Sequence, residues 1–324
     1  MKFLETHFEE YITSNNNVNL HPKLDKIFAK FPKNINELCN LIFYGPSGIG
    51  KYTQMLRAIK KYSPTDLKYE KKISIQYNKE PYYIKISDIH YEVNMSLLGC
   101  NSKTLWHDIY QQIVDIVSSK PVKSGIIICK DFHAVHIELL DVFYSYMQCK
   151  NINSKINIKY ILISEEISFL PINILNCCEV INIERPSKTV YLKCLKHKCN
   201  DFPKIENVEN IKMLHTRVYN LTRPYKIICD NILNKMGNIN ELSFLKFRDS
   251  LYEIFIYHLD ITDCIWYILS SLIEENKIST KNLSDILIKT YQFLKFYNNN
   301  YRPIYHLESY LFYLISVIHG YEIK

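Results

Sequence analysis

The stretch Leu41 to Gln54, LIFYGPSGIGKYTQ, constrains this chain more than any other. Gly45-Pro46-Ser47-Gly48-Ile49-Gly50-Lys51 has the GxxxxGK spacing of a phosphate-binding loop. The whole chain holds only 7 glycines, and Gly45, Gly48 and Gly50 all belong to this turn. Glycine lets a backbone turn tightly and present N–H groups to phosphate oxygens. The apolar run before the loop reads as a buried strand, and YTQMLRAIKKY after it has helical spacing. That order places a helix N-terminus under the phosphates and predicts an α/β core. Lys51 is expected to reach the β and γ phosphates of a nucleotide.

The next position should hold a Ser or Thr hydroxyl for magnesium. It is Tyr52, whose phenol is too long for that task, and Thr53 lies one residue out of register. A nucleotide hydrolase also needs a buried strand ending in two acids, one for magnesium and one for water. SGIIICKDFHAV (Ser124 to Val135) supplies the strand, but Lys130 occupies the first acidic place. An ammonium cannot ligate a metal cation. Asp131 is then the candidate to act on water, or else it caps the following helix. The expectation is a site for ATP or ADP, with no metal ligand set for Mg2+ and hydrolysis impaired at two points.

The composition suits a globular chain, with 47% hydrophobic and 23% charged residues. With 324 residues there is room for two or three domains. The formal charge of +7 fits a polyanionic partner, but it is spread along the chain without a long basic run. The 10 cysteines form no regular framework, which suggests reduced thiols in an intracellular protein. Cys194, His197 and Cys199 lack a second ligand pair at a zinc-site distance, so no metal site is expected. MKFLETHFEE carries acids and has no signal-peptide core. No run reaches the roughly 18 apolar residues that would read as a membrane span.

The order of loop, IHYEVNMSLLGCN (Ile89 to Asn101), the IIICKDF strand and YILISEEISFLPINILNCCEVINIERPS (Tyr160 to Ser187) resembles the small subunits of replication factor C. These are the AAA+ subunits of the eukaryotic sliding-clamp loader. RDSLYEI (Arg248 to Ile254) and PIYHLESYL (Pro303 to Leu311) resemble segments of the collar domain in the branch called subunit 3 in animals and subunit 5 in yeast. That branch also lacks the hydroxyl at the position of Tyr52. The departures bear on function. Nothing in Met1 to Asn40 matches the family's adenine-wrapping segment, and its first sensor, an Asn, falls on Glu165. Its Ser-Arg-Cys motif falls on Asn176-Cys177-Cys178, without the arginine that can be worth about 10³ to 10⁵ in rate. Arg223 is the candidate for the second sensor.

The resemblance implies an AAA+ α/β core with a parallel sheet, a small helical lid and an all-α collar. Residues 1–40 are read as a divergent lead-in with SNNNVN (Ser14 to Asn19) as a loop. Strands LIFY, YYIKIS, GIIIC, KYILIS and VINI alternate with helices over residues 41–187. The lid is expected over residues 188–238 and the helical collar over residues 239–324. The function that the resemblance implies is that of a non-catalytic subunit in a hetero-pentameric clamp loader. Its partners would be the other subunits, a PCNA-type sliding clamp and primed double-stranded DNA, with no membrane, in the nucleus or a viral replication compartment. Two alternatives are a stand-alone P-loop ATPase using Thr53 and Asp131, and an interaction module that has left replication.

Overall fold

The computed structural model describes residues 7–77, 80–99, 101–148, 156–187, 189–190, 193, 224–238, 242–297 and 302–321. Two compact units are present, Met1–Tyr219 and Asn220–Lys324. The first is a mixed α/β core with a mostly parallel sheet, and in the second all regular elements among the described residues are helices.

Seven strands form the sheet: β1 (Asn40–Tyr44), β2 (Lys71–Tyr77), β3 (Glu80–Ile86), β4 (His90–Asn94), β5 (Ser124–Lys130), β6 (Asn157–Ser164) and β7 (Cys178–Asn182). Their order is β2-β3-β4-β5-β6-β1-β7. Pairing is parallel from β4 through β7, whereas β2 and β3 add to one edge as an antiparallel hairpin. The expected parallel sheet is thus present, with an antiparallel hairpin added at one edge. β2 and β4 carry Lys71, Lys72, His90 and Glu92, which break the apolar runs by which the other strands are read. In the centre, Leu41 to Phe43, Ile126 to Cys129 and Tyr160 to Ile163 are all buried. Such continuous runs are what strands covered on both faces require.

One face of the sheet is covered by α1 (Phe8–Asn17), α2 (Asp25–Phe28) and α3 (Lys51–Lys60). Here Phe8, Ile12, Leu24, Met55 and Ile59 pack with Leu41, Phe43, Ile128 and Ile161. The other face is covered by α4 (Ser102–Ser118), α5 (Ile137–Gln148) and the short α6 (Ile172–Asn176). Trp106, Ile109, Phe143 and Ile174 pack there with Ile42, Tyr91, Ile127 and Leu162. The alternation of side chains along each strand sorts these two cores. Phe8, Ile12, Leu24, Phe31 and Leu38, all before β1, are therefore part of this core. Ser14 to Asn17, read as a loop, close helix α1, which the amphipathic spacing of Phe8, Tyr11 and Ile12 carries onto α3.

The second unit contains α7 (Pro224–Gly237), α8 (Phe244–Ile256), α9 (Ile261–Glu274), α10 (Leu283–Tyr297) and α11 (Pro303–His319). Asp260 caps α9 by accepting hydrogen bonds from the backbone of Thr262 and Asp263. Gly320 ends α11 in the left-handed conformation. Cys229, Phe247, Leu251, Ile268, Leu307 and Leu311 belong to one core. The two stretches that carry the collar resemblance meet here, where the Arg248 guanidinium forks onto the buried Glu308 carboxylate, with Nη2 2.8 Å from Oε2. Helix α7, placed with the lid by sequence, packs with α8 and α9 in this unit. Of the rest of the expected lid, residues 189, 190 and 193 are described, whereas Arg223 and the group Cys194, His197 and Cys199 lie outside the described residues. Among the described residues, no helix is long and apolar enough to cross a membrane.

Phe8 is 1% exposed and its ring lies 4.8 Å from that of His90. Phe8→Ala should lower the unfolding free energy by about 3 to 5 kcal/mol, read as a lower urea midpoint at unchanged slope. A loss below about 1 kcal/mol would show that α1 is peripheral. At the β3–β4 turn, burial pushes the Asp88 carboxyl up, but hydrogen bonds from Ser63 and Thr65 outweigh it and hold the group below its ordinary 3.8. A lowered carboxyl pKa adds stability above the ordinary value and loses it as pH falls. Wild-type stability should therefore decline more steeply than that of Asp88→Asn below about pH 4, measured by urea unfolding across an acid series.

Candidate nucleotide site

The loop lies where the sheet changes its winding. β1 leads to α3 on one face, whereas β6 leads to α6 on the other, and β1 and β6 are neighbours. In open α/β sheets, ligands bind beyond the carboxyl ends of the strands at such a switch point. Parallel pairing sets Tyr44 opposite Ser164, so Gly45 and Glu165 leave the sheet side by side. Gly45 donates its N–H to the Ser164 carbonyl at 3.4 Å.

Two glycines are needed for geometry. A Cβ on Gly45 would fall 2.2 Å from the Ile183 carbonyl oxygen, closer than atoms can approach. Gly50 has φ +94° immediately before α3, a conformation that side chains rarely adopt. Pro46, Ser47, Gly48 and Ile49 complete the turn, and Ile49 is fully buried. Thr53 lies within the first turns of α3. The strand, loop and helix thus have the arrangement that the motif predicts.

Lys51 is 8% exposed, and its ammonium finds its acceptors within the chain. It donates to the carbonyls of Gly45 at 2.6 Å and Pro46 at 2.8 Å, and to Glu165 Oε1 at 3.3 Å. Burial lowers the lysine pKa, and the charges of Glu165 and Asp131 oppose that shift. Asp131 stands in a left-handed conformation after β5, and its side chain makes no capping hydrogen bond to the turn beyond it. Its proximity is to Lys51.

Tyr52 and Lys130 face one another across the same edge. The Tyr52 hydroxyl donates to Glu92 Oε1 at 2.6 Å, and its ring packs edge-on against Tyr11 at 4.9 Å. The Lys130 ammonium lies 4.8 Å from the centre of the Tyr52 ring and 3.8 Å from Glu92 Oε2. Glu92 is buried beside His90, at 3.4 Å, and the other ring nitrogen of His90 is bonded to Ser87 Oγ at 2.6 Å. Burial, followed by the nearby Glu92 charge, raises the Tyr52 phenol well above its ordinary value, so it stays a donor. A phenol and an ammonium thus stand at the two positions where the sequence motif calls for magnesium ligands. This donor set does not fit a divalent metal. Among the described residues, no group of three or more His, Cys, Asp and Glu side chains could hold a metal ion.

A cavity of about 340 Å³ opens beside the loop, lined by Leu20, His21, Ile27, Asn182, Arg185 and Val190, among others. His21 joins it to the turn, its Nε2 donating to the Ile49 carbonyl at 2.8 Å, and Leu20 lies 3.4 Å from where a Gly50 Cβ would be. Burial lowers the His21 pKa and favours the neutral ring. Apolar walls with a few polar groups suit a base-sized group. Sequence reading missed this wall, because residues 20–27 carry no motif. It also missed Tyr11 and Glu92, which only the approach of α1 and β4 brings to Tyr52.

No protein-family model matches the chain. No curated protein matches it. Among solved structures it is similar to RIF2 of Saccharomyces cerevisiae, at 14% identity and a TM-score of 0.36, covering 64% of this chain and 72% of that one. A RuvB variant of Thermotoga maritima is similar at 15% identity and a TM-score of 0.35, over 60% of this chain. The chain spans about half of that protein, 53%. PCH-2 of C. elegans is similar at 12% identity and a TM-score of 0.36, covering 82% of this chain and 73% of that one. The fold itself is a mixed α/β core with a mostly parallel sheet, followed by a region whose regular elements are all helices among the described residues.

Tyr52→Phe keeps the ring against Tyr11 and Lys130 and removes only the hydroxyl that serves Glu92. Stability should fall by about 1 to 3 kcal/mol, the usual cost of depriving a buried carboxylate of a donor. Urea denaturation measures it, and an unchanged midpoint would show that Glu92 is satisfied without Tyr52.

Proposed function

We propose that this chain is a structural, non-hydrolysing member of an AAA+ assembly of the clamp-loader kind. One observation carries the loss of hydrolysis: the two magnesium-ligand positions hold Tyr52 and Lys130, tied to each other and to Glu92. Magnesium chemistry needs carboxylate or hydroxyl oxygens at short range, and an ammonium at that place repels the ion. The loop and the adjoining cavity fit a nucleotide without its metal, with Gly45 to Lys51 at the phosphates and Leu20, Ile27 and Val190 at the base.

Membership in a clamp loader is supported by the sequence resemblance in the EVN stretch and in RDSLYEI and PIYHLESYL. On this reading the helical second unit joins the other subunits of a hetero-pentamer. The α/β unit helps set a PCNA-type sliding clamp on primed duplex DNA, through contacts to phosphates that carry no sequence preference.

The purified chain should hydrolyse ATP no faster than its Lys51→Ala variant. Magnesium should change its ATP affinity by less than about tenfold, or about 1.4 kcal/mol, by calorimetric titration. Tyr52→Thr combined with Lys130→Asp should restore magnesium dependence. Mass spectrometry of the native complex should find other clamp-loader subunits. Turnover that depends on Lys51 would favour a stand-alone ATPase, and a chain isolated alone would favour an interaction module outside replication.

A further inference from the structure

We propose that Glu165 is a tethered counter-anion, seated on the phosphate-binding end of Lys51, that keeps the loop closed to free polyanions. The inference rests on the reading of the loop as a nucleotide site and names what controls access to it.

A lysine ammonium has three donors. Those of Lys51 meet three acceptors: the Gly45 and Pro46 carbonyls and Glu165 Oε1. The two carbonyls belong to the loop itself and move with it. Glu165 is the only charged partner among the three, and it arrives from a different strand.

Its side chain is 31% exposed against 8% for Lys51, so it sits at the mouth of the contact and not beneath it. The Glu165 backbone N–H is held at 3.4 Å by His133 Nδ1. Its backbone is thereby anchored, and the side chain is the part that can swing into solvent.

Charge counts point the same way. Two ammonium groups, Lys51 and Lys130, face the carboxylates of Glu165, Asp131 and Glu92. These side chains are net negative before any phosphate arrives. An incoming polyanion must displace Glu165 from Lys51 and then remain near it, whereas a neutral nucleoside in the adjoining cavity meets no such opposition. Glu165 is thus a specificity-determining residue that discriminates by ligand charge.

The test is calorimetric titration of the full chain with inorganic pyrophosphate, ATP and adenosine, all without magnesium. Glu165→Gln should raise the affinity for pyrophosphate and for ATP by about ten- to a hundredfold, the range of one charge-assisted contact. Adenosine affinity should not change. Adding Lys51→Met to Glu165→Gln should abolish the gain. If Glu165→Gln does not fold, Glu165→Asp, which withdraws the charge by one methylene, should give a smaller gain of the same sign. Unchanged or weaker pyrophosphate binding, binding by neither protein, or a gain that survives loss of Lys51 would overturn the proposal. Failure of the broader reading would appear instead as Lys51-dependent ATP turnover or as absence of partner subunits, neither of which alters the pyrophosphate comparison.

Discussion

The parallel register of β1 on β6 governs the site. Once Tyr44 pairs with Ser164, the next residue of each strand, Gly45 and Glu165, must leave the sheet at the same edge. The loop then turns back through Gly50 into α3 and delivers Lys51 to the place where its own carbonyls and Glu165 converge. The register is in turn held by burial of Leu41 to Phe43 against Ile161 and Leu162. A slip of one residue would turn every one of these side chains to the opposite core.

Around that edge the charges are paired with one another. A metal site places oxygen ligands about a cation. Here Lys130 supplies the positive charge, and Glu92 and the Tyr52 ring surround it. Buried charges are costly unless paired and hydrogen-bonded, and removal of one partner costs more than the pair contributes. Tyr52, Glu92, His90 and Lys130 therefore form a unit in which no single member is easily changed. The glycines of the loop serve the fold independently of any ligand, because the turn also carries the contact to Ile183 and the entry to α3.

Much of the α/β unit was legible along the chain. The runs at Leu41, Gly125 and Lys159 read as strands because both of their faces are buried, and α4 read as a helix because Leu105, Trp106, Ile109 and Ile113 recur at helical spacing. The YYIKIS run of β3 was read as a strand, but its hairpin partner β2 and the neighbouring β4 were not legible, since strands with a polar face or charged residues lose the continuous apolar signal. Lys71 and Lys72 hide β2, and His90 and Glu92 hide β4. The N-terminal contribution was missed for another reason. Phe8 and Leu24 gain their significance from a sheet formed by residues far along the chain.

By itself the sequence determined that a glycine-rich turn joins a buried strand to a helix, that Lys51 and Tyr52 come directly after it, and that Lys130 ends the apolar strand of β5. These are matters of residue type and spacing, to which local backbone geometry responds directly. Only the tertiary structure decided where Lys51 points and what answers its charge. Glu165 lies 114 residues away, and Glu92 lies 40 residues from Tyr52. Partners at such separations are chosen by strand order and register, which arise from packing the two cores and leave no mark in any short stretch of the chain.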